Sequence, residues 1–371
     1  MILFYFGADD TWNNLNKRGF YRRNTCLLKA FKDSDQIEKI YLVHRTIRPK
    51  LLKQMKNKPD SGDKVQDIFF ATIFSEKKVF NSINRWLIQK QLLRQTGYRS
   101  KPDDVLFAYW PRGFLAWKAT GIAGKLIFDT DHNIIGDPHL DSGQGEERET
   151  LFDEILQKAD VILSGARSMV NWLRDRGFNQ IHRIRNGVDR ERFTGFNREN
   201  KISGKMPVIG YMGTLSLWID WDLLFNLVSR NPTWSFHFIG APYKSQQYEK
   251  LEVLPNVVFF GQQSPSEVVK LMQEFDVGLA LYQKHPALDV DSMKIFEYLA
   301  AGTPVVSTRF HDFLEEDFMG LLYLADSVEE LEQGIREALV STSAKENIRK
   351  EFLKGCEWSK RAEEVIQIIK K

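Results

Sequence analysis

The chain has 371 residues, enough for two or three domains, and its 43% apolar content is that of an ordinary globular protein. It has no apolar run long enough to span a bilayer, and the opening MILFYFGADD turns acidic after a short apolar stretch, so neither a membrane span nor a secretory leader is expected. The net charge of +3 conceals an imbalance: residues 1–200 carry 34 Lys and Arg against 25 Asp and Glu, and residues 201–371 carry 18 against 24. A basic first half is expected to meet an anionic surface or acceptor. Cys26 and Cys356 lie far apart without metal-like spacing, which fits a reduced cytosolic protein.

Apolar runs at Ile2–Phe6, Ile40–Val43, Ile68–Ala71, Val105–Tyr109, Leu126–Phe128, Val161–Leu163 and Ile181–Ile184 predict strands in the first half, with helices at Thr150–Lys158 and Ser168–Arg176 among the connections. After the first strand come Gly7–Trp12 and the basic run Arg18–Arg23; here Asp9, Trp12 and Arg22 are candidates for holding an acceptor, Trp12 by stacking and Arg22 by meeting phosphate or carboxylate. A solvated helix start explains the same residues. Residues 77–94 interleave Lys77, Lys78, Arg85, Lys90 and Arg94 with Phe80, Ile83, Trp86, Leu87 and Leu93, an amphipathic basic helix able either to pack on a core or to lie on an anionic bilayer. The strand Leu126–Phe128 ends in Asp129-Thr130-Asp131-His132-Asn133, a polar cluster at a carboxyl strand end, where open α/β sheets do their chemistry. A hydroxyl nucleophile needs a base, and Asp131 and His132 are both candidates.

Residues 190–207 are polar and lack apolar periodicity, which reads as a linker. Beyond it, strands are expected at Val208–Met212, Ser235–Ile239, Val257–Phe260, Val277–Tyr282, Val305–Ser307 and Leu321–Leu324. The alternation predicts an α/β chain of two doubly wound, Rossmann-like domains facing across a cleft: 1–190, a linker at 191–206, a second domain at 207–355, and a final helix at 356–371. In the second domain Gly213 and Thr214 follow the first strand, where backbone amides can approach phosphate oxygens. Gln263 follows the third.

The segment Asp276–Thr308 (DVGLALYQKHPALDVDSMKIFEYLAAGTPVVST) is the most informative. It reads as strand, helix, strand, the helix opening at Asp291 or Ser292 and stopping at Gly302 before Pro304. Lys294 and Glu297 share one face of its first turns, and Asp289 lies eight positions before Glu297. A lysine beside a helix N-terminus can neutralise a diphosphate without metal, although an i,i+3 ion pair on a solvated helix is the plainer reading.

Asp289, Lys294, Glu297 and the run Ala301-Gly302-x-Pro304-Val305-Val306 together resemble the nucleotide-sugar signature of the group 1 glycosyltransferases of the GT-B fold, a family with retaining members. Two further elements are similar: Gly210-Tyr211-x-Gly213-Thr214-Leu215, and Asn186-Gly187-Val188-Asp189 followed by Phe193. The resemblance implies that Glu297 holds the donor ribose, Asp289 (Asp where Glu is usual) touches the donor sugar, and the loop of Gln263 presents the base to backbone groups. It further implies a sugar contact for His132 or, as in some inverting polysaccharide glucuronosyltransferases, a catalytic base for Asp131.

The expected activity is therefore transfer of a sugar from a nucleotide diphosphate, with UDP as one candidate, to a hydroxyl of a glycan or lipid-linked acceptor in cell-surface polysaccharide synthesis. No cofactor or metal is expected, because Lys294 makes a cation redundant, and no nucleic-acid partner is expected. The location is cytoplasmic, with the inner membrane face as a possible surface. A nucleotide-sugar 2-epimerase of the same architecture and a non-catalytic nucleotide- or carbohydrate-binding regulator are the alternatives. A dinucleotide oxidoreductase is disfavoured because no G-x-G-x-x-G follows an early strand.

Overall fold

The computed structural model describes residues 1–7, 10–44, 64–70, 81–109, 117–118, 120, 122–130, 142–194, 206–243, 245–284, 291–311, 314–340 and 343–371, with 81–85, 142–148 and 343–344 described by backbone alone. Two compact units emerge. The first is built on the described residues up to Thr130, on Glu146–Arg185 and on Arg361–Lys371, and the second on Asn186–Lys360.

The first unit carries seven parallel strands: β1 (Ile2–Phe6), β2 (Lys39–Val43), β3 (Val65–Ile68), β4 (Val105–Tyr109), β5 (Lys125–Thr130), β6 (Val161–Ser164) and β7 (Ile181–Arg183), in the spatial order 3-2-1-4-5-6-7. The second carries β8 (Val208–Met212), β9 (Ser235–Ile239), β10 (Val257–Gly261), β11 (Val277–Ala280), β12 (Val305–Thr308) and β13 (Leu322–Ala325), in the order 10-9-8-11-12-13. Both orders reverse once, between β1 and β4 and between β8 and β11. That is the doubly wound arrangement expected from the sequence, and each reversal opens a crevice at the carboxyl ends of two central strands. The central strands are apolar on both faces, as parallel strands covered by crossover helices must be: Leu3–Phe6 and Leu106–Ala108 are buried throughout.

Several boundaries differ from the sequence expectation. β3 is Val65–Ile68 rather than Ile68–Ala71, because its ladder with β2 is complete once Val43 pairs with Ile68. The apolar Phe70 is buried beyond the strand end, which is why hydrophobicity alone shifted the strand. β11 stops at Ala280, and Tyr282 turns to donate its N–H to Thr308 Oγ1 at 2.9 Å. Residues 190–193 form a 3-10 turn whose Phe193 is buried in the core of the second unit, so the segment starting at 191 is not yet linker there; residues 195–205 lie outside the described residues. Along the basic helix Asn81–Thr96 the buried positions are Ile88 and Leu92, whereas Trp86 and Leu93 are exposed.

In the first unit Arg23 and Asp129 form a buried ion pair, with side chains 1% and 0% exposed. The guanidinium Nε lies 3.0 and 3.1 Å from the two carboxylate oxygens and Nη2 donates at 2.9 Å. This pins the start of the helix Arg23–Asp33 to the end of β5. Tyr5 Oη adds a 2.5 Å bond to the carbonyl of Asn24.

In the second unit the helix Met293–Ala300 is seated by two glycines. Gly210 of β8 and Gly278 of β11 are register partners. A Cβ on Gly210 would stand 2.1 Å from the Phe275 ring, and one on Gly278 would stand 2.7 Å from the Tyr298 ring. With no side chain there, Tyr298 reaches over the sheet, accepts the Met212 N–H at 2.7 Å and donates to the Leu279 carbonyl at 3.4 Å. The helix ends as expected at Gly302, which is left-handed at φ 75°, and Thr303 N donates back to Tyr298 O at 2.8 Å.

Gly278→Ala should push the Tyr298 ring off the sheet and lower stability by about 1–3 kcal/mol, as overpacking does. Gly355→Ala is the control, because nothing lies within 4 Å of its added methyl. Thermal melts of the two variants, with only the first displaced downward, test the seat.

Candidate functional site

The reversal between β8 and β11 brings two loops together. After β8 the chain turns at Gly213, whose φ of 133° favours glycine. Gly213 N donates to Ile239 O at 2.9 Å and Leu215 N to Ala241 O at 3.0 Å, stitching this loop to the one after β9. The stitch requires Gly240: a Cβ there would stand 2.0 Å from the Gly213 carbonyl oxygen. After β11 the chain reaches Asp291 and Ser292 and enters the helix Met293–Ala300, with Ser292 at its N-cap.

Lys294 leans from that helix onto the Gly213 loop. Its Nζ is 3.1 Å from the place a Cβ on Gly213 would occupy. Two rings carry the ammonium, Tyr211 at 4.0 Å and Tyr282 at 4.8 Å from their centroids. No carboxylate among the described residues lies within ion-pair distance of it. Burial pulls the Lys294 ammonium down to about 7, with Glu297 opposing. Burial likewise pushes the Glu297 carboxyl up to about 7, against the pull of Arg192 and Lys294. Arg192 Nη1 stands 3.7 Å from Glu297 Oε1, and its Nη2 donates to the Pro265 carbonyl at 3.3 Å.

The Asn186-Gly187-Val188-Asp189 element serves the same helix entrance. Asn186 N donates to Asp291 Oδ2 at 2.6 Å, and the Asn186 side-chain amide donates to the Asp291 carbonyl. Both residues are buried, so the bonds fix the chain immediately before the helix.

Of the residues singled out from sequence, Gly213 and Lys294 are brought into contact, Thr214 is exposed next to them, and Glu297 lies on the following turn. Gln263 stands in the loop after β10, and its side-chain amide folds back to the carbonyl of Phe260. Asp9, Asp131, His132 and Asp289 lie outside the described residues. Arg22 is exposed in the first unit. Trp12 departs from expectation: only 7% of it is exposed, and its ring packs on Phe20 at 5.3 Å, so it fills the first unit instead of standing out as a stacking platform. Its position at the start of a helix, with its N–H held by the Asp67 carboxylate at 3.1 Å, turns it inward.

Arg192, Tyr282 and Gly240 are candidate site residues that sequence reasoning missed, and Tyr211 stood within the Gly210–Leu215 element without a role of its own. Tyr211 and Tyr282 did carry a signal, since each is a ring with a polar tip at the carboxyl end of a central strand. Arg192 carried none, because its partner Glu297 is distant in the chain.

Residues 193–354 match the model of the family described as Glycosyl transferases group 1. A protein of Bacillus subtilis (strain 168) named as a putative teichuronic acid biosynthesis glycosyltransferase, TuaH, is 29% identical over 165 residues, which is 42% of each chain. The aligned stretch thus spans about two fifths of that relative. Among solved structures, sucrose-phosphate synthase from Thermosynechococcus elongatus superposes with a TM-score of 0.65 at 15% identity, covering 100% of this chain and 98% of that one. Anabaena HepE, solved in complex with UDP and glucose, gives 0.64 at 15% identity with 100% and 99% coverage. These superpositions establish a shared fold along the whole chain. The chain is built on the GT-B fold, and its segment 193–354 matches the model of the group 1 glycosyl transferases.

Proposed function

We propose that the protein is a glycosyltransferase that moves a sugar from a nucleotide diphosphate to a hydroxyl of a glycan or lipid-linked acceptor in cell-surface polysaccharide synthesis. The observation that carries this reading is the Lys294 ammonium, set beside the Gly213 loop at the sheet's reversal point with no ion-paired carboxylate among the described residues. A diphosphate there supplies the negative charge, and the ammonium with the loop amides stabilises it as it departs. The family segment and the naming of TuaH support the reaction class, and the UDP and glucose of HepE support UDP as donor nucleotide.

Within this reading Glu297, steadied by Arg192, accepts hydrogen bonds from the ribose, and the loop of Gln263 meets the base. Asp289 contacts the donor sugar, and Asp131 or His132 serves the acceptor hydroxyl. Asp9 and Arg22 contact the acceptor. No metal is required, because the lysine neutralises the leaving diphosphate. The enzyme works on the cytoplasmic side. Trp86, Lys90, Leu93 and Arg94, exposed at helical spacing on one face, with Lys90 Nζ 3.8 Å from the Trp86 ring centroid, suit it to an anionic membrane surface. Among the described residues no helix is long and apolar enough to cross a membrane.

UDP should raise the melting temperature, and the UDP-sugar should yield product only when an acceptor is supplied. Product from donor alone, as an epimer, would replace this reading. Lys294→Ala should lower turnover by about two to three orders of magnitude, as loss of one preorganised charge does.

The lysine's pKa, lowered to about 7 from 10.5, means that the folded empty protein holds less proton than the unfolded chain between those values. Its contribution to stability therefore rises from about pH 7 upward, and burying the charge costs stability below that. Lys294→Met should then melt no lower than wild type at pH 7 while losing the UDP shift. UDP affinity in the wild type should weaken as the pH is raised above about 7, measured by calorimetry.

Cosedimentation with phosphatidylglycerol vesicles tests the surface helix. Lys90→Glu with Arg94→Glu should weaken binding by at least tenfold, given about 1 kcal/mol per basic residue. Equal binding by the double variant would remove this face from the reading.

A further inference from the structure

Lys294 is held in an unusual way. A buried ammonium ordinarily sits against a carboxylate. Here the groups that act on it come from three elements: Tyr211 of β8, Tyr282 after β11, and Glu297 of its own helix. The nearby carboxylate is Glu297, whose ion pair is with Arg192 at 3.7 Å. Tyr298 is turned away, its hydroxyl bonded to Met212 N and Leu279 O. What remains beneath the ammonium is the two tyrosine faces.

Each tyrosine is tied at its tip to one wall of the crevice. Tyr211 Oη donates to the Thr214 carbonyl at 3.1 Å, in the Gly213 loop. Tyr282 Oη shares a 3.0 Å hydrogen bond with Ser292 Oγ, at the cap of the helix that carries Lys294. The rings therefore hold a fixed position between both loops. We propose that Tyr211 and Tyr282 are positioning residues: a two-ring cradle that holds the Lys294 ammonium against the Gly213 loop by cation–π attraction, leaving its N–H groups for the diphosphate of a nucleotide donor.

The choice of rings over a carboxylate has a chemical reason. A carboxylate would keep the lysine charged but compete for its N–H donors and repel the diphosphate. An aromatic face attracts the ammonium through its quadrupole, adds no net charge, and takes up none of the hydrogen-bond directions that point away from the ring. It compensates burial only in part, in keeping with the lysine's lowered pKa. Weakening the rings should therefore lower the fraction of charged lysine in the empty site, and the loss should grow with pH.

The cradle rests on the donor-site reading above, and the experiment separates the two. UDP binding is measured by calorimetry from pH 6 to 9 for wild type, Lys294→Met, Tyr211→Phe, Tyr282→Phe and Tyr282→Leu. A further variant carries 3,4,5-trifluorophenylalanine at 282, which keeps the ring's size while weakening its face. The Phe variants should bind within about threefold of wild type, because the ring remains. Tyr282→Leu should lose about tenfold at neutral pH, the order expected of a desolvated cation–π contact. The fluorinated variant should match Phe at pH 6 and fall progressively below it toward pH 9.

Should Leu and the fluorinated ring bind as Phe does at every pH, the cradle is wrong while the donor site stands. Loss in Phe as large as in Leu also overturns the cradle, since the hydroxyl ties would then be what matters. Should wild type bind neither UDP nor GDP, or Lys294→Met bind as wild type does, the donor-site reading falls and takes the cradle with it. If Tyr282→Leu fails to fold, the fluorinated series alone decides.

Discussion

The candidate site of the second unit depends on one constraint: the Lys294 ammonium sits in a crevice with no ion-paired carboxylate among the described residues. Burial disfavours the Lys294 ammonium, and two aromatic faces, a glycine and the Glu297 carboxyl one turn on offset that only in part. Such an arrangement is costly while the site is empty and becomes favourable when an anion enters. Glu297 has the same character with opposite sign: its carboxyl is pushed up by burial, and Arg192 at 3.7 Å offsets this only partly. The helix thus offers an unsatisfied cation on one turn and a restrained carboxylate on the next, which suits a ligand with phosphates at one end and hydroxyls at the other.

The sheet makes that placement rigid. Gly210 and Gly278 let two rings lie on neighbouring strands, and Tyr298 locks the helix to both. Gly240 lets the Gly213 carbonyl pass, so the Gly213 loop is stitched to the chain at the end of β9 and just beyond it. Asn186 and Asp291 close the entrance from the other side. Each device occupies a position that a larger or apolar residue could have used for the core. In return, the charged atoms cannot relax toward solvent or toward each other, and preorganisation of that kind is what electrostatic stabilisation requires.

Much of this was legible in the sequence because its signals are local. Gly302 and Pro304 marked the helix end, the apolar runs marked both sheets, and the three-residue spacing put Lys294 and Glu297 on one face. The partners were not legible, since they depend on which strands become neighbours. Tyr211 and Tyr282 flank the lysine only because β8 and β11 are adjacent in the sheet though distant in the chain. Arg192 meets Glu297 for a similar reason, through the turn that buries Phe193 in the second unit. Trp12 misled because an exposed-looking loop tryptophan says nothing of Phe20 folding over it. The shift of β3 had a different cause: the apolar Phe69-Phe70 pair continues the hydrophobic run past the point where β2 can still pair.

The first unit applies the opposite electrostatic solution, and the contrast is instructive. Arg23 and Asp129 are both buried and satisfy each other through three contacts. Breaking such a buried pair by removing one partner costs several kcal/mol. It therefore acts as a fixed post under the carboxyl end of β5, from which the chain leaves toward Asp131 and His132. In the second unit no carboxylate among the described residues pairs with the Lys294 ammonium, which leaves it able to meet an anion. Whether a buried charge is structural or functional is thus decided by how fully its partners satisfy it, which burial alone does not reveal.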